Sequence, residues 1–385
     1  MSYYMKEKRR RKSFLIVGNL VLGMLIFFTT ICKKPELEED TKTLIQTAMD
    51  LANIPSLAAC IIKNDQIVWK FVSGFANKEE RRMANDETIY LLASISKTVT
   101  GAAVMQLYEN GLIDLDTDIS QYLPFQVRHP QYPDTIITTR MVLAHRSGLG
   151  WPVNANSSFY ITYFNDSEPP FFPWIREFML PGGSDYDPSI WRETAPGEYY
   201  WYSNFGITLL GYLVEVVSGE NFKEYCKKHI FEPLDMPNTS FKISDLDINQ
   251  IAMPYEDNEI PRGHVQYIYY PSATLRSSLN DFSHFFIAMM NGGIYNGNRI
   301  LRESSVDEML IRHYPDNEVG LIWKMPGDGW YEHSGSMDGC RTQSEFHKED
   351  KVGILIFTNG QSDIVQRRGN GVIYEYIRTE AEKYR

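Results

Sequence analysis

The run Leu91-Leu92-Ala93-Ser94-Ile95-Ser96-Lys97-Thr98-Val99-Thr100-Gly101, continued to Leu107, constrains this chain more than any other stretch. Val99, Ala103 and Leu107 recur at helical spacing, and Ala102, Val104 and Met105 fill neighbouring positions. The helix they predict is mostly buried, so other elements have to enclose it. Asn110-Gly111 supplies its stop, because glycine takes the left-handed conformation that helix ends often use. Ser94 therefore falls at or near the first turn, and Lys97 lies three residues on, about one turn away on the same face.

That spacing carries chemistry. A serine hydroxyl is a weak nucleophile until a neighbour takes its proton. A lysine can do so when burial lowers its pKa and leaves the amine partly neutral. The helix start adds backbone N–H groups and a positive dipole end beside a developing oxyanion. This is the S-x-x-K arrangement of acyl-serine enzymes. Taken by itself, Ser94 also reads as an ordinary helix cap.

The 385 residues are 43% hydrophobic and 23% charged, a globular composition large enough for one big domain. The net charge is −11, and a basic cluster at residues 6–12 (KEKRRRK) leaves the remainder more acidic still. An acidic body argues against nucleic acid as a partner. Four cysteines, Cys32, Cys60, Cys226 and Cys340, form no C-x-x-C pair, so no zinc or redox motif appears. Sequence leaves a single bridge among the last three open. No His/Asp/Glu cluster has metal-ligand spacing, and no cofactor is implied. The chain has no G-x-S-x-G elbow, H-E-x-x-H, P-loop or G-x-G-x-x-G.

Behind the basic segment 1–12, residues 13–32 are almost continuously apolar, with Asn19 the strongly polar intrusion. The core of this run, 14–32, spans about 29 Å as a helix, close to the thickness of a bilayer core. Its length and the lack of an A-x-A site favour an uncleaved transmembrane signal anchor over a cleaved signal peptide. A lipid on Cys32 is disfavoured because Ile31 stands where a small residue belongs. The positive flank puts the N-terminus in the cytoplasm and the body outside, periplasmic or extracellular. Residues 33–42 (KKPELEEDTK) read as a charged linker.

In the body, Leu44–Leu51 is a helix, and Pro55–Ile62 and Gln66–Val72 are strands joined by a turn at Lys63-Asn64-Asp65. Helices follow at Thr138–His145, Phe205–Val217, Asn221–Ile230 and Asp281–Asn291. Residues 150–195 read as long loops over a cleft. Strand-like runs return at Val319–Trp323, Trp330–His333, Arg341–His347 and Val352–Asn359, and a helix at 372–384 ends the chain. Strands at both ends can pair in one antiparallel sheet, with a mostly helical region at about 94–265 inserted between them. The expected class is α+β, one domain at 43–385.

Three further stretches fall into a pattern with Ser94-Ile95-Ser96-Lys97: Tyr202-Ser203-Asn204, His333-Ser334-Gly335-Ser336, and Leu143-Ala144-His145-Arg146-Ser147-Gly148-Leu149. With Ala195-Pro196-Gly197, Phe231-Glu232-Pro233-Leu234 and Leu275-Arg276-Ser277-Ser278, they resemble the serine β-lactamase and penicillin-binding protein superfamily. The likeness is to its class C-like branch of D,D-peptidases, D-aminopeptidases and esterases, and it covers about residues 43–385. It implies the β-lactamase/transpeptidase-like fold, an antiparallel sheet flanked by helices. It also implies that Ser94 is the acylated nucleophile and that Lys97 and Tyr202 share the proton work. Which of the two is the base stays open. Asn204 would orient Lys97 or bind the substrate amide, and His333 and Gly335 would line the opposite wall. The N–H groups of Ser94 and Ser336 would form the oxyanion hole. His145 reads as structural.

The third motif is H-x-G where β-lactamases carry K-T-G, so a fixed cation for a substrate carboxylate is missing there. The resemblance therefore implies a serine hydrolase acting on peptides with D-residues, peptidoglycan stems among them, or on small esters. A β-lactamase is the enzymatic alternative. A catalytically inactive relative that binds wall fragments is the alternative of a different class.

Overall fold

The computed structural model describes residues 37–385 apart from 155, 165, 257–259 and 368–370. The chain divides into Met1–Thr41 and a compact unit Lys42–Arg385. The apolar segment 13–32 lies outside the described residues, and among those described no helix is long and apolar enough to cross a membrane. The first described helix, Leu37–Leu51, starts inside the stretch read as a linker. Asp40 sits in its first turn, where negative charge suits the positive end of the helix dipole.

Strands from both ends of the body share one antiparallel sheet, in the order Trp330–Met337, Cys340–His347, Val352–Thr358, Ser56–Lys63, Gln66–Asn77, Arg82–Met83. Ser56–Lys63 joins the two halves: Leu57 pairs with Thr358 on one side and with Ser73 on the other. The turn after Lys63 has two residues, Asn64 and Asp65, and Asn64 takes φ +55°. Asparagine tolerates that region, which the tight hairpin requires.

Side chains alternate across the sheet. Leu57, Ala59, Ile61, Ile354 and Ile356 face a layer formed by Ile45 and Met49 of the first helix and Ile373 and Ile377 of the helix Val372–Ala381. Ala58, Cys60, Ile62, Leu355 and Phe357 face the opposite layer, with Val99, Phe282 and Phe286. Cys60, Cys226 and Cys340 are buried free thiols, so no bridge links them. In the opposite layer the helix Ser96–Glu109 is buried at every residue from Ser96 to Leu107 and packs on the helix Asn204–Ser218. The enclosure expected of a mostly buried helix is therefore met.

Two expectations fail. Val319–Trp323 is no strand: only Val319 and Lys324 form isolated bridges, and Ile322 has φ +74°, which breaks extended structure. The stretch 150–195 is not all loop, since Phe171–Met179 is helical apart from Phe172. Its prolines suggested irregular chain, but Phe171, Trp174, Ile175 and Phe178 recur at helical spacing and are buried.

Candidate active site

Ser94 lies in the single 3₁₀ turn Ala93–Ile95, which delivers the chain from the strand Ile89–Leu91 into the helix Ser96–Glu109. Ala93 holds φ +48°, an uncommon conformation for a residue with a side chain. The turn is fixed on both sides. Leu92 N donates to Leu275 O at 2.8 Å, and Ser96 Oγ donates to Ala93 O at 2.5 Å while accepting from Leu275 N at 3.0 Å. Ser94 itself is half-buried.

Lys97, one turn on, is fully buried. Its Nζ lies 3.1 Å from Ser94 Oγ and donates to Ser272 O at 2.7 Å. Burial, reinforced by the charge of Lys324, pushes the Lys97 pKa well below the usual amine range. A neutral amine keeps an N–H for the Ser272 carbonyl and frees a lone pair for the Ser94 hydroxyl. Among the described residues no carboxylate is hydrogen-bonded to it.

Tyr202 reaches the same place from the far side of the insert. Its ring centroid lies 4.8 Å from Lys97 Nζ. The loop carrying it is held by His145: Trp201 N donates to His145 O at 2.7 Å, Ser203 N donates to His145 Nδ1 at 3.2 Å, and the His145 and Tyr202 rings are 4.7 Å apart. His145 takes φ +57° and is buried, with its pKa driven well down by burial and then by Lys97 and Lys324. It positions the tyrosine loop, in line with the structural reading of its motif.

Asn204 opens the helix Asn204–Ser218, while the cap itself is Ser203, whose Oγ accepts from Gly206 N at 2.8 Å. Asn204 is therefore not spent on capping. It is 3% exposed, and its Oδ1 has no hydrogen-bond partner. The structure gives Lys97 the Ser272 carbonyl as its orienting partner.

The opposite wall is the sheet-edge strand Trp330–Met337. His333 is buried, with its pKa well below the usual imidazole value through burial and the charges of Lys324 and Lys97. Its Nδ1 lies 3.0 Å from Ser334 O, a carbonyl that can only accept, so the proton is assigned to Nδ1. Nε2 is then a buried acceptor with no protein partner. Gly335 lets this strand close on the Ser94 turn: a Cβ there would lie 2.3 Å from Leu92 O and 3.1 Å from the Ala93 Cβ. Thr342 Oγ1 ties the next strand to the same carbonyl at 2.9 Å.

The direction of the Ser336 N–H follows from register. Glu332 exchanges two main-chain hydrogen bonds with Lys324 on the outer edge, 3.0 and 2.9 Å. Main-chain groups alternate along an antiparallel strand. The N–H groups of Ser334 and Ser336 thus face that same edge, and Ser336 is exposed. Ser94, Lys97 and Tyr202 meet at one site, with His333 coupled to Lys97 electrostatically.

Sequence reasoning missed two groups. The Ser272 carbonyl has no side-chain signature, although Leu275-Arg276-Ser277-Ser278 just beyond it drew notice. Lys324 lies just past Val319–Trp323, a run read only as a strand.

Residues 41–373 match the family described as Beta-lactamase. Protein flp of Staphylococcus aureus (strain MW2) is 22% identical over 358 residues, 89% of this chain; the match spans 66% of that longer relative. Among solved structures, one described as a class C beta-lactamase superposes with TM-score 0.71 at 18% identity, covering 89% of this chain and 96% of that one. The D-alanine carboxypeptidase AmpC from Burkholderia cenocepacia gives 0.70 at 19%, covering 89% and 99%. At these identities the likeness concerns the fold.

Proposed function

The chain belongs to the Beta-lactamase family, and on that premise we propose that it is a serine hydrolase working through an acyl-Ser94 intermediate. The observation that carries this reading is the Lys97 amine 3.1 Å from the Ser94 hydroxyl, in surroundings that push its pKa well below the usual amine range.

In the proposed cycle Lys97 takes the hydroxyl proton as Ser94 Oγ bonds to the substrate carbonyl carbon. The carbonyl oxygen becomes an oxyanion held by the N–H groups of Ser94 and Ser336; one such donor is typically worth about 3–4 kcal/mol. The bond to the leaving amine or alkoxide then breaks, and the leaving group takes the proton from Lys97 by way of the Tyr202 phenol. Water resolves the ester by the reverse proton path. Lys97 is assigned as base because it contacts the nucleophile directly, and Tyr202 as relay because its ring lies against that amine. Asn204 Oδ1 and His333 Nε2, both buried and unpartnered, are assigned to substrate N–H groups.

The substrates we assign are peptides with D-residues, peptidoglycan stems included, or small esters. The uncharged His333 at the third motif favours these over β-lactams. We assign the active site to the outside of the cytoplasm, tethered through residues 13–32. This follows from the apolar run behind a basic cluster.

Labelling with a fluorophosphonate, read by intact mass, tests the reading. One adduct on the Ser94 peptide, absent in Ser94→Ala, is the expected result; an adduct retained in that variant contradicts it. Rates on a D-Ala-D-Ala peptide, a D-amino-acid amide, a p-nitrophenyl ester and nitrocefin then rank the substrates.

A further inference from the structure

The peptide between Gly335 and Ser336 is held at its carbonyl end by a buried amide. Gln366 Nε2 donates to Gly335 O at 2.6 Å and to Thr342 O at 3.1 Å. Gln366 is 6% exposed and comes from the segment just past the 3₁₀ turn Asp363–Val365. That turn is fastened in place. Gln366 N donates to Asp363 O at 3.0 Å, and Arg341 Nε, beside Thr342, donates to Asp363 Oδ1 at 2.6 Å. Gly371 lets the chain pass close to the same segment, since a Cβ there would lie 2.3 Å from Gln366 O.

The two carbonyls that share this amide belong to residues that both abut the Ser94 turn. Gly335 and Thr342 are partners in the antiparallel register. Gly335 approaches Leu92 O through its backbone, and Thr342 Oγ1 donates to that same oxygen. A trans peptide is planar, with its C=O and N–H pointing opposite ways. A bond at Gly335 O therefore sets the direction of the Ser336 N–H, toward the open edge. It also polarises the peptide and strengthens that N–H as a donor. The position needs such a hold for two reasons. The ladder secures an edge strand from one side alone, and glycine is the residue with the most backbone freedom to lose.

We propose that Gln366 is a positioning residue for the oxyanion hole. Its amide fixes the Gly335–Ser336 peptide so that the Ser336 N–H meets the oxygen that becomes negative, while Gln366 itself touches neither Ser94 nor the substrate. This rests on the acyl-Ser94 reading and adds to it the side chain that keeps the second oxyanion donor in place.

The test compares p-nitrophenyl acetate with its thionoester, in which sulfur replaces the carbonyl oxygen. Both release p-nitrophenolate, but sulfur is a weak hydrogen-bond acceptor. The ratio of their kcat/KM values thus reads the oxyanion hole and is indifferent to how much of a variant is folded. Wild type should favour the oxygen ester about a hundredfold or more. Gln366→Met, which keeps the length and removes the donor, should cut that ratio about tenfold, with the loss falling on the oxygen ester. Gln366→Glu keeps the shape and replaces the donor with an acceptor, so it should act in the same direction and carries the test if Gln366→Met does not fold. The carbonyl stretch of the acyl-enzyme gives a second readout, and it should move to higher frequency in either variant. An unchanged ratio, or equal loss on both esters, overturns the assignment and leaves Gln366 a structural residue. An acyl adduct on wild type that persists in Ser94→Ala would instead count against the acyl-serine reading.

Discussion

The main chain at Gly335 passes so close to the Leu92 carbonyl that a Cβ on residue 335 would lie 2.3 Å from that oxygen. The contact joins the strand of the third motif to the turn that presents Ser94. It depends on glycine through close approach, since the obstacle is backbone and cannot swing aside.

Gly335→Ala should therefore push the strand off the Ser94 turn. We expect a loss of about 1–3 kcal/mol in stability from overpacking. Acylation should slow about a hundredfold as the Ser336 N–H moves out of range. Denaturant melts and the fluorophosphonate labelling rate measure the two effects. A normal rate would mean that this wall takes no part in catalysis.

The Lys97 pKa is lowered by burial, and this fixes two pH dependences. Activity needs the neutral amine, so kcat/KM should rise with pH through the depressed Lys97 value and level off well below the ordinary lysine range. For stability, the unfolded chain holds a proton on Lys97 that the folded chain lacks, anywhere between the two values. Stability from this group therefore rises with pH across that window and is lost as pH falls through it. Lys97→Met removes the penalty. It should raise Tm at pH 7, with a gain that shrinks toward pH 10, while slowing acylation by about three orders of magnitude. Lys97→Arg should not rescue the rate, because a guanidinium stays charged. Thermal melts and labelling rates across pH check both dependences.

Asn204 keeps a buried oxygen without a partner, an arrangement that costs about 1–3 kcal/mol in the free protein. Ser203 caps the helix, so Asn204→Ala removes no cap. Tm should hold or rise slightly, while kcat/KM on an amide substrate falls about tenfold or more. A drop in Tm with unchanged kinetics would make Asn204 a structural residue.

Periodicity made the main elements legible. The apolar stretch after Ser94 is the buried helix, and the strand-like runs at 55–72 and 341–359 became one sheet. What the sequence hid has physical reasons. Phe171–Met179 is an amphipathic helix masked by prolines beside it, which end one helix but also start another. Ile322 lies in a strand-like run, and its left-handed backbone comes from tertiary packing against Gly101 and Leu143, which no local propensity reports. The motif residues Ser94, Lys97 and Tyr202 were legible through their family pattern. Lys324 and the Ser272 carbonyl entered the site only through the folded geometry, one as a charge on a neighbouring segment and one as backbone.

The account depends most on Lys97 giving up its proton well below the ordinary lysine range. The direct measurement is NMR of protein carrying lysine labelled at Cε and Nζ, with the Lys97 signal assigned by its loss in Lys97→Met. That signal should change from ammonium to neutral amine at a pH well below the one at which the exposed lysines do. A Lys97 signal that stays protonated until pH 10 or above would contradict the account.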